Sequence, residues 1–479
     1  MDRIRLKNAR FVLLPFDILI GMLIGIYGYT LSGGIVSLGH VSKVISLLSF
    51  SLIIIQFLQL KYVNVKLISS VGAFLLGCNF FSFGEFYVCF FGHEELLVYP
   101  TWFSYNLEIK YQTGFYMLAA IQCAFSGIFA YSIFSKKNVR ITTVKKDLTD
   151  TQWLKIGFVF LLIGLPCRLY WDYLNILLGS SNNMYSGGAS VSGLLDDFQI
   201  LFIPGLICVL HGLRKNKALV ISIIGVVMAM EVLVMASSGN RRLYITSLVG
   251  LFFYFFYEYP WKKHAKWKIV LFAILGITVL NYLELIRKYR FLGLGANFFS
   301  AISFSDLFSF DFLWDSLAEF GLTSHAIYYD FLYITKFSDL YLGKTFLTAI
   351  VYIVPIGFII NVNKQAASII ERLSGSAVGG SMINDLFVNW GWAGLFVAPF
   401  VGYFIARLGY RNVERGKINY ENIYMFFVFP MILGYARGDI FEVLRPAAYI
   451  YILFSLCTKL LWPPHIVDVD KELDLELRR

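Results

Sequence analysis

Charge is scarce in this chain. Only 15% of its 479 residues are Asp, Glu, Lys or Arg, against about 25% in an ordinary soluble domain. With 58% hydrophobic residues, that shortage excludes an ordinary cytosolic enzyme. Proline is sparse as well: 11 Pro beside 39 Gly excludes collagen-like and disordered sequences. The six cysteines (Cys78, Cys89, Cys123, Cys167, Cys208 and Cys457) all fall within or at the ends of apolar runs, with no CxxC and no Cys/His cluster. Neither a disulfide framework nor a zinc site is expected, and no cofactor is called for. No internal repeat of solenoid or inverted-transporter type is visible.

What the chain has in abundance is long apolar runs. A helix crosses the hydrocarbon core with about 20 mainly apolar residues. Suitable runs lie at 11–31, 45–60, 67–91, 114–134, 156–178, 194–210, 218–236, 243–257, 269–285, 392–406, 423–435 and 440–461. The expected fold is an all-α polytopic membrane protein of about twelve spans. Its organisation reads as helices one to nine in residues 1–285, an insertion in 286–390, three further helices in 391–462, and an acidic cytoplasmic tail in 463–479.

The cations fix the orientation. There are 41 Lys and Arg against 31 Asp and Glu, a net charge of +10. The first segment carries Arg3, Arg5, Lys7 and Arg10, with no small-residue cleavage site after its apolar run, and reads as a retained cytoplasmic N-terminus. Alternate short loops are basic, among them those with Lys136, Lys137 and Arg140, with Arg214, Lys215 and Lys217, and with Arg407, Arg411, Arg415 and Lys417. The opposite loops at 32–42 and 179–193 carry no Lys or Arg. By the positive-inside rule both termini are cytoplasmic, and the basic excess calls for no nucleic acid.

The stretch 286–390 is then external. It carries aromatic residues throughout, and within 311–330 the acids Asp311, Asp315 and Glu319 recur every four residues, with Leu313, Leu317 and Phe320 on another face, as in an amphipathic helix. Residues 345–360 read as a re-entrant or interfacial helix ending near Pro355; the other reading is a full crossing there and a second one within 305–334. A folded external cover suits an enzyme that encloses a lipid-anchored substrate at the outer surface.

Arginines in or beside spans are costly and mark candidate function. Arg168 lies in GLPCRLYWD, where pairing with Asp172 one turn on is the competing explanation. Arg241 and Arg242 lie in SSGNRRLY, where snorkelling to headgroups competes. Arg287 and Arg290 lie in ELIRKYR, and Arg437 in ARGD with Asp439 and Glu442 nearby; Arg445 follows inside the last span. Guanidinium forks at one membrane level suit the oxygens of a lipid pyrophosphate. Acid–base candidates are Glu319 and His325, six residues apart in the insertion, and spacing does not separate them. The first external loop has no Asp or Glu, unlike many transferases that use polyprenyl monophosphate sugars.

With SSGNRRLY, ELIRKYR and ARGD stand LAEFG at 317–321, YLGKTFLTAIVYIVP at 341–355 and GGSMINDLFVNWGWAG at 379–394. On these motifs the chain resembles the bacterial O-antigen and capsular oligosaccharide repeat-unit polymerases (Wzy type), over roughly residues 239–445. Glu319, Gly343, Pro355, Asn389 and Gly391 occupy the matching places, and Asp385 stands where the family often has Glu. The resemblance implies a GT-C-like membrane transferase at the outer face of the bacterial inner membrane. It would pass a growing glycan from undecaprenyl pyrophosphate to a lipid-linked repeat unit without a metal, alongside a chain-length regulator and a flippase. It implies that Arg168, Arg241, Arg242, Arg287, Arg290 and Arg437 hold pyrophosphate. Glu319 or His325 would serve the acceptor, and Trp314, Tyr328, Asp385 and Asn389 would face the glycan. An O-antigen ligase, or a flippase or exporter of lipid-linked oligosaccharide, are the competing readings.

Overall fold

A computed structural model of the chain describes residues 2–30, 38–97, 106–135, 148–179, 198–238, 242–259, 311–334, 339–354, 366, 369, 372, 379–411, 413 and 416–461. The described residues hold helices and no strand. In chain order they are α1 (Asp2–Thr30), α2 (Leu38–Tyr62), α3 (Ser70–Phe90), α4 (Leu107–Phe134), α5 (Asp150–Gly179), α6 (Phe202–Gly212), α7 (Lys217–Ser238) and α8 (Arg242–Glu258). They continue with α9 (Asp311–Gly321), α10 (Thr323–Tyr333), α11 (Lys344–Val351), α12 (Met382–Trp390), α13 (Gly394–Gly409), α14 (Tyr424–Tyr435) and α15 (Phe441–Leu456).

Eight helices among the described residues are long and apolar enough to cross a membrane, and three shorter apolar ones match the runs expected near 194–210, 243–257 and 423–435. The chain is an integral membrane protein. The run at 269–285 lies outside the described residues. Helix starts follow side-chain chemistry. Ser69 caps α3 by accepting the Gly72 N–H, and Asn106 caps α4 by accepting the Glu108 N–H. Before α5, Thr149 and Gln152 satisfy each other's backbone N–H groups, a reciprocal box at the helix entry.

Two cores divide the bundle. In the first, α4 is central: 83% of its spanning window is buried, against 22% for α1. It packs against α1, α2, α3 and α13, and α10 and α12 cover one of its ends. The second core joins α5 and α6 with α8, α14 and α15. Outward faces are apolar and exposed, as at Leu162 (80%) and Phe400 (75%). In water such a surface would be an association site; on spanning helices it faces lipid.

Within the insertion the described residues differ from expectation at one break. Residues 311–330 form two helices, broken at Gly321–Leu322. The break falls where α9 crosses α3, because a Cβ on Gly321 would lie 2.2 Å from the Glu85 nitrogen and one on Gly84 would lie 2.1 Å from the Leu317 carbonyl oxygen. Only paired glycines allow that approach. Within 345–360, the described helix α11 has eight residues, a length of about 12 Å, too short to cross. It packs on α15 and α12 with Ala349 buried and Leu347 and Ile350 exposed. Pro355 lies outside the described residues.

Candidate active site

At one end of the second core a buried network forms around Arg168 on α5. Its Nη2 lies 2.6 Å from Glu231 Oε2 on α7, and its Nε 3.1 Å from Asp172 Oδ1 one turn away. The Tyr244 hydroxyl of α8 donates to the same Asp172 oxygen at 2.9 Å, and the guanidinium sits 4.5 Å over the Tyr244 ring. Arg168 and Glu231 are 3% and 4% exposed. One cation thus faces two carboxylates on two helices, and Tyr244 ties in the third. At such depth the attraction offsets desolvation only while every partner stays in place, so the network locks the mutual rotation of α5, α7 and α8.

Beside this lock a cavity of about 360 Å³ opens between α5, α6, α8, α14 and α15. Arg168 and Trp171 of α5, Ser247 of α8, and Phe441, Glu442 and Arg445 of α15 line it. The Arg445 Nε donates to the Tyr449 hydroxyl at 3.2 Å, with the guanidinium 5.3 Å from the Phe441 ring. Pro430 and Pro446 lie inside α14 and α15 and also line the cavity. A proline removes a backbone hydrogen bond and opens the helix beside it. Between α14 and α15, Arg437 stands 5.8 Å over the Phe81 ring, and Phe81 meets Phe320 edge-on at 5.2 Å. The helix carrying Glu319 therefore reaches the arginine end of the bundle through one phenylalanine. Glu319 is half-buried.

His325 takes a different position. It is 2% exposed, and its Nε2 lies 2.8 Å from Glu85 Oε1 on α3, while the Ser324 hydroxyl donates to the other Glu85 oxygen at 3.1 Å. Lys110 is buried as well, and its charge acts on Glu85. One helical turn later, the Asn384 amide donates to Asp330 Oδ2 at 2.6 Å. Burial holds the Asp330 carboxyl well above the usual carboxylate range.

The expected glycan-facing residues are drawn into the same seam. Asp385 and Asn389 are fully buried. Asp385 Oδ2 accepts the Ile440 N–H at 2.7 Å, tying α12 to the entry of α15 just after ARGD. The Asn389 amide donates to the Thr345 hydroxyl at 2.6 Å and to the Asp385 carbonyl at 2.7 Å. The chain before α11 lies along the end of α12, with Tyr341 N–H on the Val388 carbonyl and Leu342 N–H on that of Asn389. Gly343 then turns with φ +83° under the Trp390 ring. Trp314 is half-buried and stacks on His93 at 4.6 Å. The Tyr328 hydroxyl accepts the Asn106 N–H at 3.3 Å.

The structure thus brings Arg168 and Arg445 to one cavity, with Arg437 between the helices that wall it. Arg241, Arg287 and Arg290, and the side chain of Arg242, lie outside the described residues. Sequence reasoning passed over Glu85, Lys110 and Asn384. For Glu85 a signal existed: a lone carboxylate inside an apolar run is as costly as the arginines that were singled out.

No curated protein and no solved structure matches the chain at a significant level. The family model for O-antigen polysaccharide polymerase Wzy matches residues 13–462, nearly the whole chain. Membership on that scale favours the polymerase over the ligase and flippase readings. The chain belongs to the O-antigen polysaccharide polymerase Wzy family.

Proposed function

We propose that the protein joins undecaprenyl-pyrophosphate-linked oligosaccharide repeat units at the outer face of the bacterial inner membrane. In the full arrangement twelve spans, counting 269–285, form a GT-C-like base with both termini cytoplasmic, and 286–390 covers the site. A lipid-linked repeat unit follows from the family, and a chain-length regulator and a flippase are the partners such a reaction calls for. The observation that carries the site is the shared cavity of Arg168 and Arg445 beside Arg437.

In the reaction the bond between the donor's anomeric carbon and its pyrophosphate oxygen breaks. The acceptor hydroxyl oxygen forms the new bond on the opposite face, and its proton leaves to a base. Negative charge grows on the departing pyrophosphate. Guanidinium groups fixed before the substrate arrives stabilise that charge without reorganisation. Arg168 is already held by Asp172 and Glu231, so its part is to fix the wall. Arg445 and Arg437, with Arg241, Arg242, Arg287 and Arg290, are assigned to the pyrophosphate. Glu319 is assigned to the acceptor proton, because it is half-exposed on a helix that reaches Arg437 through Phe81. His325 acts through Glu85 to hold that helix pair on α3. Trp314 and Tyr328 remain assigned to the glycan side, and Asp385 and Asn389 to shaping it from beneath.

The test is incubation of the purified protein with a lipid-linked repeat unit, no nucleotide and a chelator present. A ladder of lengthening glycans is expected. Transbilayer movement of the lipid without a ladder would overturn the reading, and a ladder that appears only when divalent metal is restored would overturn the arginine-only account of charge stabilisation.

A further inference from the structure

The cavity of Arg168 and Arg445 occupies one end of α14 and α15. At the other end of the same helices, a groove of about 520 Å³ opens between α13, α14 and α15. Arg407 and Arg411, at the end of α13, and Lys459, just beyond α15, line it and are exposed. Among the described residues none of the three is ion-paired with a carboxylate. The Arg411 Nη1 donates to the Arg407 carbonyl at 2.7 Å and to the Tyr131 hydroxyl at 3.3 Å, which holds this cation at the mouth. Among the described residues, Glu421 is the one acid in the lining.

Away from the cations the wall is apolar: Phe404 and Leu408 on α13, Leu444 and Ala448 on α15, with Tyr451 57% exposed along it. From Leu444 to Lys459, α15 and the turn that continues it rise about 22 Å, more than half of a hydrocarbon core of about 30 Å. A basic mouth above a long apolar wall fits a molecule with an anionic head and an acyl tail.

We infer that this groove binds an anionic glycerophospholipid, its phosphate held by Arg407, Arg411 and Lys459 and an acyl chain laid along α15. Charge complementarity selects the anionic class: three cations face one carboxylate, and basic pockets between spanning helices favour acidic headgroups. Position excludes the reaction's own lipid. Glu442, in the arginine cavity, and Lys459 are about 25 Å apart along the helix axis, close to the bilayer's hydrocarbon thickness. The two basic clusters face opposite membrane surfaces, so a pyrophosphate held at the first does not reach the second. The groove lipid belongs to the leaflet on the other side and braces α13 against α15 from there.

The test uses the full chain in mixed micelles titrated with phosphatidylglycerol or phosphatidylethanolamine, with bound lipid read by native mass spectrometry. The protein is expected to retain phosphatidylglycerol preferentially. The R407Q/R411Q/K459Q variant is expected to lose about a hundredfold in that affinity, while K43Q, at an exposed lysine of α2, loses none. Equal retention of the two lipids, or undiminished phosphatidylglycerol on the triple variant, would overturn the assignment. Displacement by equimolar undecaprenyl pyrophosphate would overturn it too and give the groove to the substrate lipid. If the triple variant does not fold, K459Q alone is read, with an expected loss of about fivefold.

Discussion

Glu85 of α3 and His325 of α10 meet at 2.8 Å although 240 positions separate them in the chain. Both are buried, at 0% and 2% exposure, and they join the insertion to a spanning helix just where Gly84 and Gly321 let the two backbones touch. Removing either partner takes the shortest polar contact away from the other at a buried site. E85A or H325A is expected to cost about 3–5 kcal/mol, whereas E85L/H325L recovers most of that loss. Thermal unfolding in detergent measures it. If H325A keeps full stability and loses only chain elongation, His325 acts on the acceptor and not through Glu85.

The spans were legible because an apolar run of the right length has few other uses. The pairings were not, because they depend on how each helix is rotated about its axis. Arg168 shows both cases: Asp172 was visible one turn away, while Glu231, on α7, came into reach only through the packing of α5 against α7. The motif YLG followed much later by NWG was visible as a pattern, but its cause is the backbone pairing of Leu342 with Asn389. For Asp385 the resemblance implied a place at the glycan; what the sequence did not show is that its carboxylate caps the entry of α15.

The arginines of the cavity separate by role. Arg445 is partly exposed at the cavity, with its Nε donating to the Tyr449 hydroxyl, so R445A is expected to fold and to lose about a hundredfold or more in elongation rate. R168A leaves Asp172 and Glu231 facing each other in the core, and a loss of about 3–5 kcal/mol in stability is expected. Folded yield and glycan ladders from the same preparations check the pair. A stable, inactive R168A would move Arg168 into direct contact with pyrophosphate.

The turn before α11 makes a separate prediction. Gly343 has φ +83°, and a Cβ there would lie 3.2 Å from the Trp390 ring. G343A is expected to cost about 1–3 kcal/mol. N389A removes the amide donor from Thr345 and from the Asp385 carbonyl, with an expected loss of about 1–3 kcal/mol. Because both changes act on the same α11–α12 junction, the double variant should lose less than the sum of the two. Strict additivity in a double-mutant cycle would show that Asn389 and Gly343 serve different elements.

Asp330 gives the fold a pH dependence of defined sign. Burial raises its carboxyl well above the usual range, so the folded protein holds the proton at a pH where the unfolded chain, titrating near about 3.9, has released it. A group raised in this way contributes stability that is complete below the unfolded pKa and is lost as pH climbs toward the folded one. D330N removes the titration and keeps a planar polar group opposite Asn384, which already donates to this side chain at 2.6 Å. Melting curves between acid and alkaline pH should therefore show the wild type weakening with rising pH and D330N weakening less, with the variant the more stable of the two at the alkaline end. Parallel curves would mean that Asp330 is ionised in the folded protein and that a cation outside the described residues compensates it.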